Sequence, residues 1–341
     1  MQLTPGKLLG MRRMADEKGL FKMVAADQRP PIKDPIAKHL GLTKAPWNEV
    51  AKFKAQIVMQ LQDSSSAILL DPHFGIPAAF DKLARDKGLI VTLEDSVFSE
   101  STGGRFSKNI SDWTVNKIKR LGGDAVKVLV WYRPDASPEN IAFQQDYVKK
   151  VGEECQRFDI PFLLELLLYP LASETTQSTG YVEMKEKNCD LVLASIEEFA
   201  MQKYAVDLFK LESPVNASMI DGSNNVQEVF NEMGRLAGRP WVMLSAGASK
   251  DSFQKILSHA FQAGASGFLA GRAIWQEAFS AYPDWQKIIH SLSSDGMPYL
   301  KEISKIADEK AMPWTSHQCY GKDGVAFGPK DGSFRKNYGS L

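Results

Sequence analysis

Thiols are scarce in this chain. Its 341 residues include three cysteines, Cys155, Cys189 and Cys319, widely spaced and with no CxxC. That excludes a disulfide framework and a thiolate zinc site, and it suits a reducing compartment. Histidine is also sparse: His39, His73, His259, His290 and His317 form no HxH or HExxH spacing, so no metal or organic cofactor is expected. Neither sign of charge is in excess. Lys plus Arg and Asp plus Glu number 41 each, which argues against nucleic acid or an anionic membrane as partner. The longest apolar run, PFLLELLLYPL at 161–171, is too short to span a bilayer and carries Glu165. The N-terminal stretch MQLTPGKLLGMRRMADEKGLF lacks the apolar centre of a signal peptide, so a cytoplasmic protein is expected. No strand-like run is followed by GxGxxG; STGGRF at 101–106 is the nearest glycine pair and lacks the spacing, which disfavours a dinucleotide-dependent dehydrogenase.

What the chain does have is a repeating grammar. Hydrophobic residues make up 44% and charged residues 24%, enough for a sizeable packed core. Short β-rich runs bounded by turn residues occur at 20–27, 67–72, 88–95, 124–132, 161–169, 207–214, 241–247 and 267–272. Amphipathic helical patterns lie between them, as in NEVAKFKAQIVMQLQD (48–63), where Val50, Phe53, Ile57 and Leu61 form one stripe. Several helices open on Ser or Asn and close on Gly. Eight such units predict a single α/β domain, a (β/α)8 TIM barrel spanning 1–315, with its active site at the C-terminal ends of the strands. The Gly-rich segment 316–341 is expected to be a tail, either disordered or laid over a neighbouring surface. The segment from Pro30 to Pro46 reads as a long loop, a candidate lid. A homo-oligomer is expected, with Trp241, Trp275 and Trp285 as candidate interface residues.

Barrel strands are usually apolar, so charges within them carry information. Asp27 ends the first strand, Lys127 lies in the fourth, Glu165 in the fifth, and Lys210 with Glu212 in the sixth. Strand alternation puts Lys127 on one face with Leu129 and Trp131, Glu165 with Leu163 and Leu167, and Lys210 with Leu208 and Glu212. A buried charge network would explain any one of these residues, but consecutive strands carrying several point to a functional cluster. A lysine beside a second cation can lose its proton and attack a ketone. The resulting iminium is an electron sink that permits carbon–carbon cleavage without a metal, provided a carboxylate takes the hydroxyl proton. Glu165 is the candidate for that, while the chemistry leaves open whether Lys210 or Lys127 is the nucleophile.

The last two strands add an anion site. LSAGAS (244–249) offers Ser245 and Gly247 before a helix opening at Ser249, and LAGRAIW (269–275) offers Gly271 and Arg272. Loops after the seventh and eighth strands commonly hold phosphate in this fold, through backbone N–H groups at helix starts. Arg29, in ADQRPP (26–31), is a candidate grip on a second anion.

Six motifs in order, AADQR, DAVKVLVWY, FLLELLLY, DLFKLESPVN, LSAG and AGRAIW, make the chain resemble the class I tagatose-1,6-bisphosphate aldolase family from about residue 20 to MPWT at 312–315. The resemblance implies cleavage of tagatose 1,6-bisphosphate to dihydroxyacetone phosphate and glyceraldehyde 3-phosphate. By the same likeness Lys210 forms the Schiff base, Glu165 transfers the proton, and Lys127 and Asp27 surround the reacting carbons. Gln28, Arg29, Ser245, Gly247, Gly271 and Arg272 then form the substrate- and phosphate-binding set. One departure is Arg133, which stands where an acidic residue is expected and bears on the anionic end-group. Fructose 1,6-bisphosphate or a sulfo-sugar phosphate is the alternative substrate. A non-catalytic sugar-phosphate sensor is the alternative of another class; it would have no use for an activated lysine.

Overall fold

A computed structural model describes residues 2–171, 174, 188–220, 223–328 and 330–338. Its strands are β1 (Phe21–Ala25), β2 (Ala67–Leu70), β3 (Gly88–Thr92), β4 (Ser99–Ser101), β5 (Gly104–Phe106), β6 (Ala125–Trp131), β7 (Phe162–Leu167), β8 (Leu208–Leu211), β9 (Trp241–Met243) and β10 (Gly267–Ala270). Eight of them close a parallel barrel in the order β1-β10-β9-β8-β7-β6-β3-β2, while β4 and β5 form a separate antiparallel hairpin. This is the TIM barrel expected from the strand–helix repeat.

The helices between strands are fixed at their ends by side chains the sequence supplies. Ser137, Asn188 and Ser249 each accept a hydrogen bond from a backbone N–H in the first turn of the helix they precede. Gly122 ends the helix Val115–Leu121 in the left-handed region at φ 93° and lets the chain turn straight into β6.

Two apolar layers hold the barrel. Val24, Ile68, Val91, Val128 and Leu164 face outward against the helices. Met23, Leu69, Ile90, Ala125, Leu163, Leu208, Val242 and Leu269 fill the interior near the N-terminal end of the strands. Trp314 and Tyr320, in edge-to-face contact at 5.6 Å between ring centres, join that inner cluster from below. Leu3 pairs with Phe327 in an isolated parallel bridge, and the Tyr338 hydroxyl donates to Asp159 at 2.7 Å. The far end of the chain, through Phe327, therefore lies against the barrel's N-terminal face.

Three sequence expectations need correction. The segment after Pro30 is a helix, Pro30–His39, not a long loop, and its Ile32, Ile36 and Ala37 are buried. Pro30 and Pro31 occupy the first helical turn, where a backbone N–H has no intrahelical partner to lose. Trp241 and Trp275 are fully buried within their own chain and cannot form an interface. Glu212 leaves the face of Lys210, because β8 ends at Leu211; its Oε1 instead accepts the backbone N–H of Leu168 at 2.7 Å. No helix among the described residues is long and apolar enough to cross a membrane.

Candidate active site

Strand register assembles the charged cluster. Glu165 on β7 is paired directly with Lys210 on β8, and Thr92 on β3 with Lys127 on β6. Parallel strands in register point paired side chains the same way, so these four line one interior wall. All four are buried.

Lys127 is the hub. Its ammonium lies 2.8 Å from Asp27 Oδ2, 2.8 Å from Glu94 Oε1 and 2.8 Å from Glu165 Oε2. Glu165 turns its other oxygen to Lys210, with Oε1 2.9 Å from Nζ. Thr92 Oγ1 donates to Asp27 Oδ2 at 3.1 Å. A buried ammonium must be paired, and the three carboxylates meet that need.

The two flanking carboxyls are pushed in opposite directions. Burial works against ionisation of Asp27, but Lys127, then Lys210 and Arg29, hold its carboxyl well below the usual carboxylate range. For Glu94 burial prevails over Lys127 and Arg29, with Asp27 adding to it, and its pKa rises.

Arg29 is buried rather than free at the rim. Its Nη1 donates to the Glu94 backbone carbonyl at 2.9 Å and its Nη2 lies 3.6 Å from Glu94 Oε1. Gln28 sits beside Gly271: a β carbon at Gly271 would lie 2.9 Å from Gln28 Nε2 and 2.7 Å from the Ala25 carbonyl oxygen. Trp275 donates its indole N–H to that same carbonyl at 2.9 Å, tying the loop after β10 to the end of β1.

The loops after β9 and β10 form an open cavity of about 600 Å³ lined by Gly247, Ala248, Ser249, Lys250, Arg272 and Gln276, among others. Ala246 and Gly247 are both left-handed, at φ 45° and 74°. Two successive left-handed residues are the centre of a tight turn, which leads the chain from β9 into the helix that opens at Ser249. The Gly247 position leaves room for Arg272, whose Nη1 would be 3.4 Å from a β carbon there. Ser245 is buried at the end of β9, its carbonyl accepting from Ala248 N at 2.8 Å.

Arg133 follows β6, and its ion-pair partners are not the carboxylates around Lys127. Its guanidinium is spent on Asp135 at 2.7 Å, on Glu174 and on the Tyr169 carbonyl at 3.1 Å. Two acidic residues thus neutralise the arginine that the sequence had placed in an acidic position.

Sequence reasoning missed Glu94 and Lys54. Ile90, Thr92 and Glu94 follow one alternation, so the rule that singled out Lys127 also reaches Glu94. Lys54 lies on the buried stripe of the helix Trp47–Leu61. It is ion-paired to Asp71 and donates to the Ala26 carbonyl at 2.8 Å, fixing the residue before Asp27. Its spacing from Val50, Phe53 and Ile57 was the available signal.

The chain is similar to proteins of known name along most of its length. Tagatose 1,6-diphosphate aldolase of Listeria monocytogenes is 33% identical over 92% of this chain and 95% of its own. Tagatose 1,6-diphosphate aldolase 2 of Streptococcus mutans is 30% identical over 94% of this chain and 100% of its own. Among solved structures, fructose-bisphosphate aldolase from Plasmodium falciparum superposes with a TM-score of 0.65 at 11% identity, covering 91% of this chain and 97% of that one. An archaeal fructose 1,6-bisphosphate aldolase gives 0.55 at 14%, covering 87% and 97%. The family model of DeoC/LacD family aldolases matches residues 21–277, from the first barrel strand past the last, and the chain belongs to that family.

Proposed function

We propose that the protein is a Schiff-base aldolase that cleaves tagatose 1,6-bisphosphate to dihydroxyacetone phosphate and glyceraldehyde 3-phosphate. The observation that carries this reading is the single carboxylate, Glu165, held between two lysines on adjacent strands. The curated relatives' names support the substrate.

In this reading the Lys210 amine attacks the C2 ketone, and water leaves to give the iminium. Glu165, at 2.9 Å, is placed to exchange the protons this requires. As the C4 hydroxyl gives its proton to Glu165, the C3–C4 bond breaks, its electrons pass into the iminium, and the aldehyde departs. The enamine is protonated at C3 and hydrolysed to release dihydroxyacetone phosphate and the free lysine. Lys127 keeps Glu165 and Asp27 in place throughout. Ser245, Gly247, Gly271 and Arg272 hold the C1 phosphate, and Gln28 and Arg29 face the rest of the substrate. The free thiols Cys155, Cys189 and Cys319 fit a reducing, cytoplasmic setting.

The test is intact mass after borohydride reduction with dihydroxyacetone phosphate. A stable adduct on the wild type that is absent from Lys210→Ala supports the reading. No adduct on either, with dihydroxyacetone phosphate shown to bind, refutes it.

A further inference from the structure

Three buried polar atoms around the Asp27–Glu94 side of the cluster have no hydrogen-bond partner among the described residues. They are Asp27 Oδ1, Glu94 Oε2 and Arg29 Nε, joined through Lys127 and the Arg29–Glu94 contacts. Such atoms are costly to leave unpaired, and a group of them in one place marks where a ligand completes the bonding. Two of the three are acceptors, which calls for a ligand that brings hydroxyl donors. Asp27, Arg29 and Glu94 are 5%, 5% and 4% exposed, while these particular atoms are buried, so bulk water does not satisfy them.

Position in the barrel says which part of the substrate meets them. The anion cavity lies at β9 and β10, and Lys210 is on β8. A ketose phosphate fixed at C1 there and at C2 on Lys210 runs its remaining carbons toward β1, β2, β3 and β6. Glu94 follows β3 and is separated from Lys210 by two links, Glu165 and then Lys127. It is therefore farther from the imine than the carboxylate that takes the C4 proton.

Resting on the aldolase reading, we propose that Glu94 is a further substrate-contacting residue, whose Oε2 accepts a hydrogen bond from the C5 hydroxyl, on the half that leaves as the aldehyde. Oε1 stays on Lys127, so the contact couples recognition of the departing half to the lysine that orders Glu165 and Asp27. The orphan Arg29 Nε is the one donor of the group and suits an oxygen of the same half.

The test removes the hydroxyl and the carboxylate separately. Condensation of dihydroxyacetone phosphate is followed with glyceraldehyde 3-phosphate and with 3-oxopropyl phosphate, which lacks only that hydroxyl, for wild type, Glu94→Ala and Glu94→Asp. A hydrogen bond to a charged acceptor predicts that the wild type favours the hydroxylated aldehyde by about ten- to a hundredfold in kcat/KM. In Glu94→Ala the preference should fall to within about threefold, because the two partners of one bond are not additive. Glu94→Asp keeps the charge but shortens the arm, and should lose the preference as well; it carries the test if the alanine variant does not fold. A preference that survives both changes, or that the wild type never shows, overturns the proposal. A wild type that forms no borohydride adduct with dihydroxyacetone phosphate refutes the aldolase reading itself, which is a separate result.

Discussion

Glu165 Oε1 and Lys210 Nζ lie 2.9 Å apart on neighbouring strands paired at the same register position. Neither side chain needs to move for a proton to pass between them. Glu165→Gln should therefore lower cleavage by about two to four orders of magnitude, the range for a lost general acid–base. Lys210 remains in this variant, so slow borohydride trapping with dihydroxyacetone phosphate should persist. Steady-state cleavage rates alongside adduct mass measure the two effects.

Lys127 balances three carboxylates, and removing it leaves them buried without their common cation. Lys127→Met should destabilise the fold by about 3–5 kcal/mol, the cost of breaking a buried pair from one side. Urea denaturation of the two proteins gives the number.

Asp27 and Glu94 should report opposite pH dependences. Asp27 is held below its ordinary 3.8, so its contribution to stability is complete above that pH and is lost as pH falls through the folded-state value. The stability gap between wild type and Asp27→Asn should close as the solution is acidified below about 4. Glu94 is raised from its ordinary 4.5, so the stability tied to its proton is complete below that pH and lost as pH rises through the folded-state value. Glu94→Gln should therefore gain on the wild type as pH climbs from 4.5. Chemical denaturation across pH 3–8, a range set by these ordinary carboxylate values, reads both slopes.

Gly271 is small because two groups crowd it. A β carbon would come within 2.7 Å of the Ala25 carbonyl, which Trp275 already uses. Gly271→Ala should cost about 1–3 kcal/mol, as overpacking does. It should also raise KM for the bisphosphate several-fold, because Arg272 and Gln28 shift with it. Thermal unfolding together with KM checks this.

Arg105 anchors the β4–β5 hairpin. Its guanidinium, fully buried, lies 4.4 Å from the ring centre of Phe98 and 4.7 Å from those of Trp131 and Tyr169, two aromatics at the barrel mouth. Contacts of this kind contribute about 0.5–2 kcal/mol each when desolvated. Arg105→Leu should speed amide exchange across residues 99–106 by on the order of tenfold or more, with the barrel strands unchanged.

Much of this was readable from residue order because a barrel repeats two periods. Alternation along strands placed Lys127, Glu165 and Lys210 on one wall, and their registers agree. It failed at Glu212, where the strand had already ended and period two no longer applied. Pro30–His39 was hidden because proline marks both a loop and a first helical turn. Glu94 lies two residues past the end of β3, yet its bridge to Asn109 keeps the chain extended there, so the alternation of Ile90 and Thr92 carries on to it. Which carboxylates share Lys127 depends on neighbours far apart in sequence, and no local pattern encodes that.

The bridge from Leu3 to Phe327, with Trp314 and Tyr320 beneath the inner core, orders events during synthesis. β1 emerges early but has only β2 to pair with until β10 follows, some 240 residues later. The underside of the barrel then waits for residues beyond 314. Until those arrive, the apolar interior is open at one end, and the nascent chain is exposed to aggregation for nearly its whole translation. Partly made copies of this protein should accordingly be strong clients for chaperones, and the finished one should not.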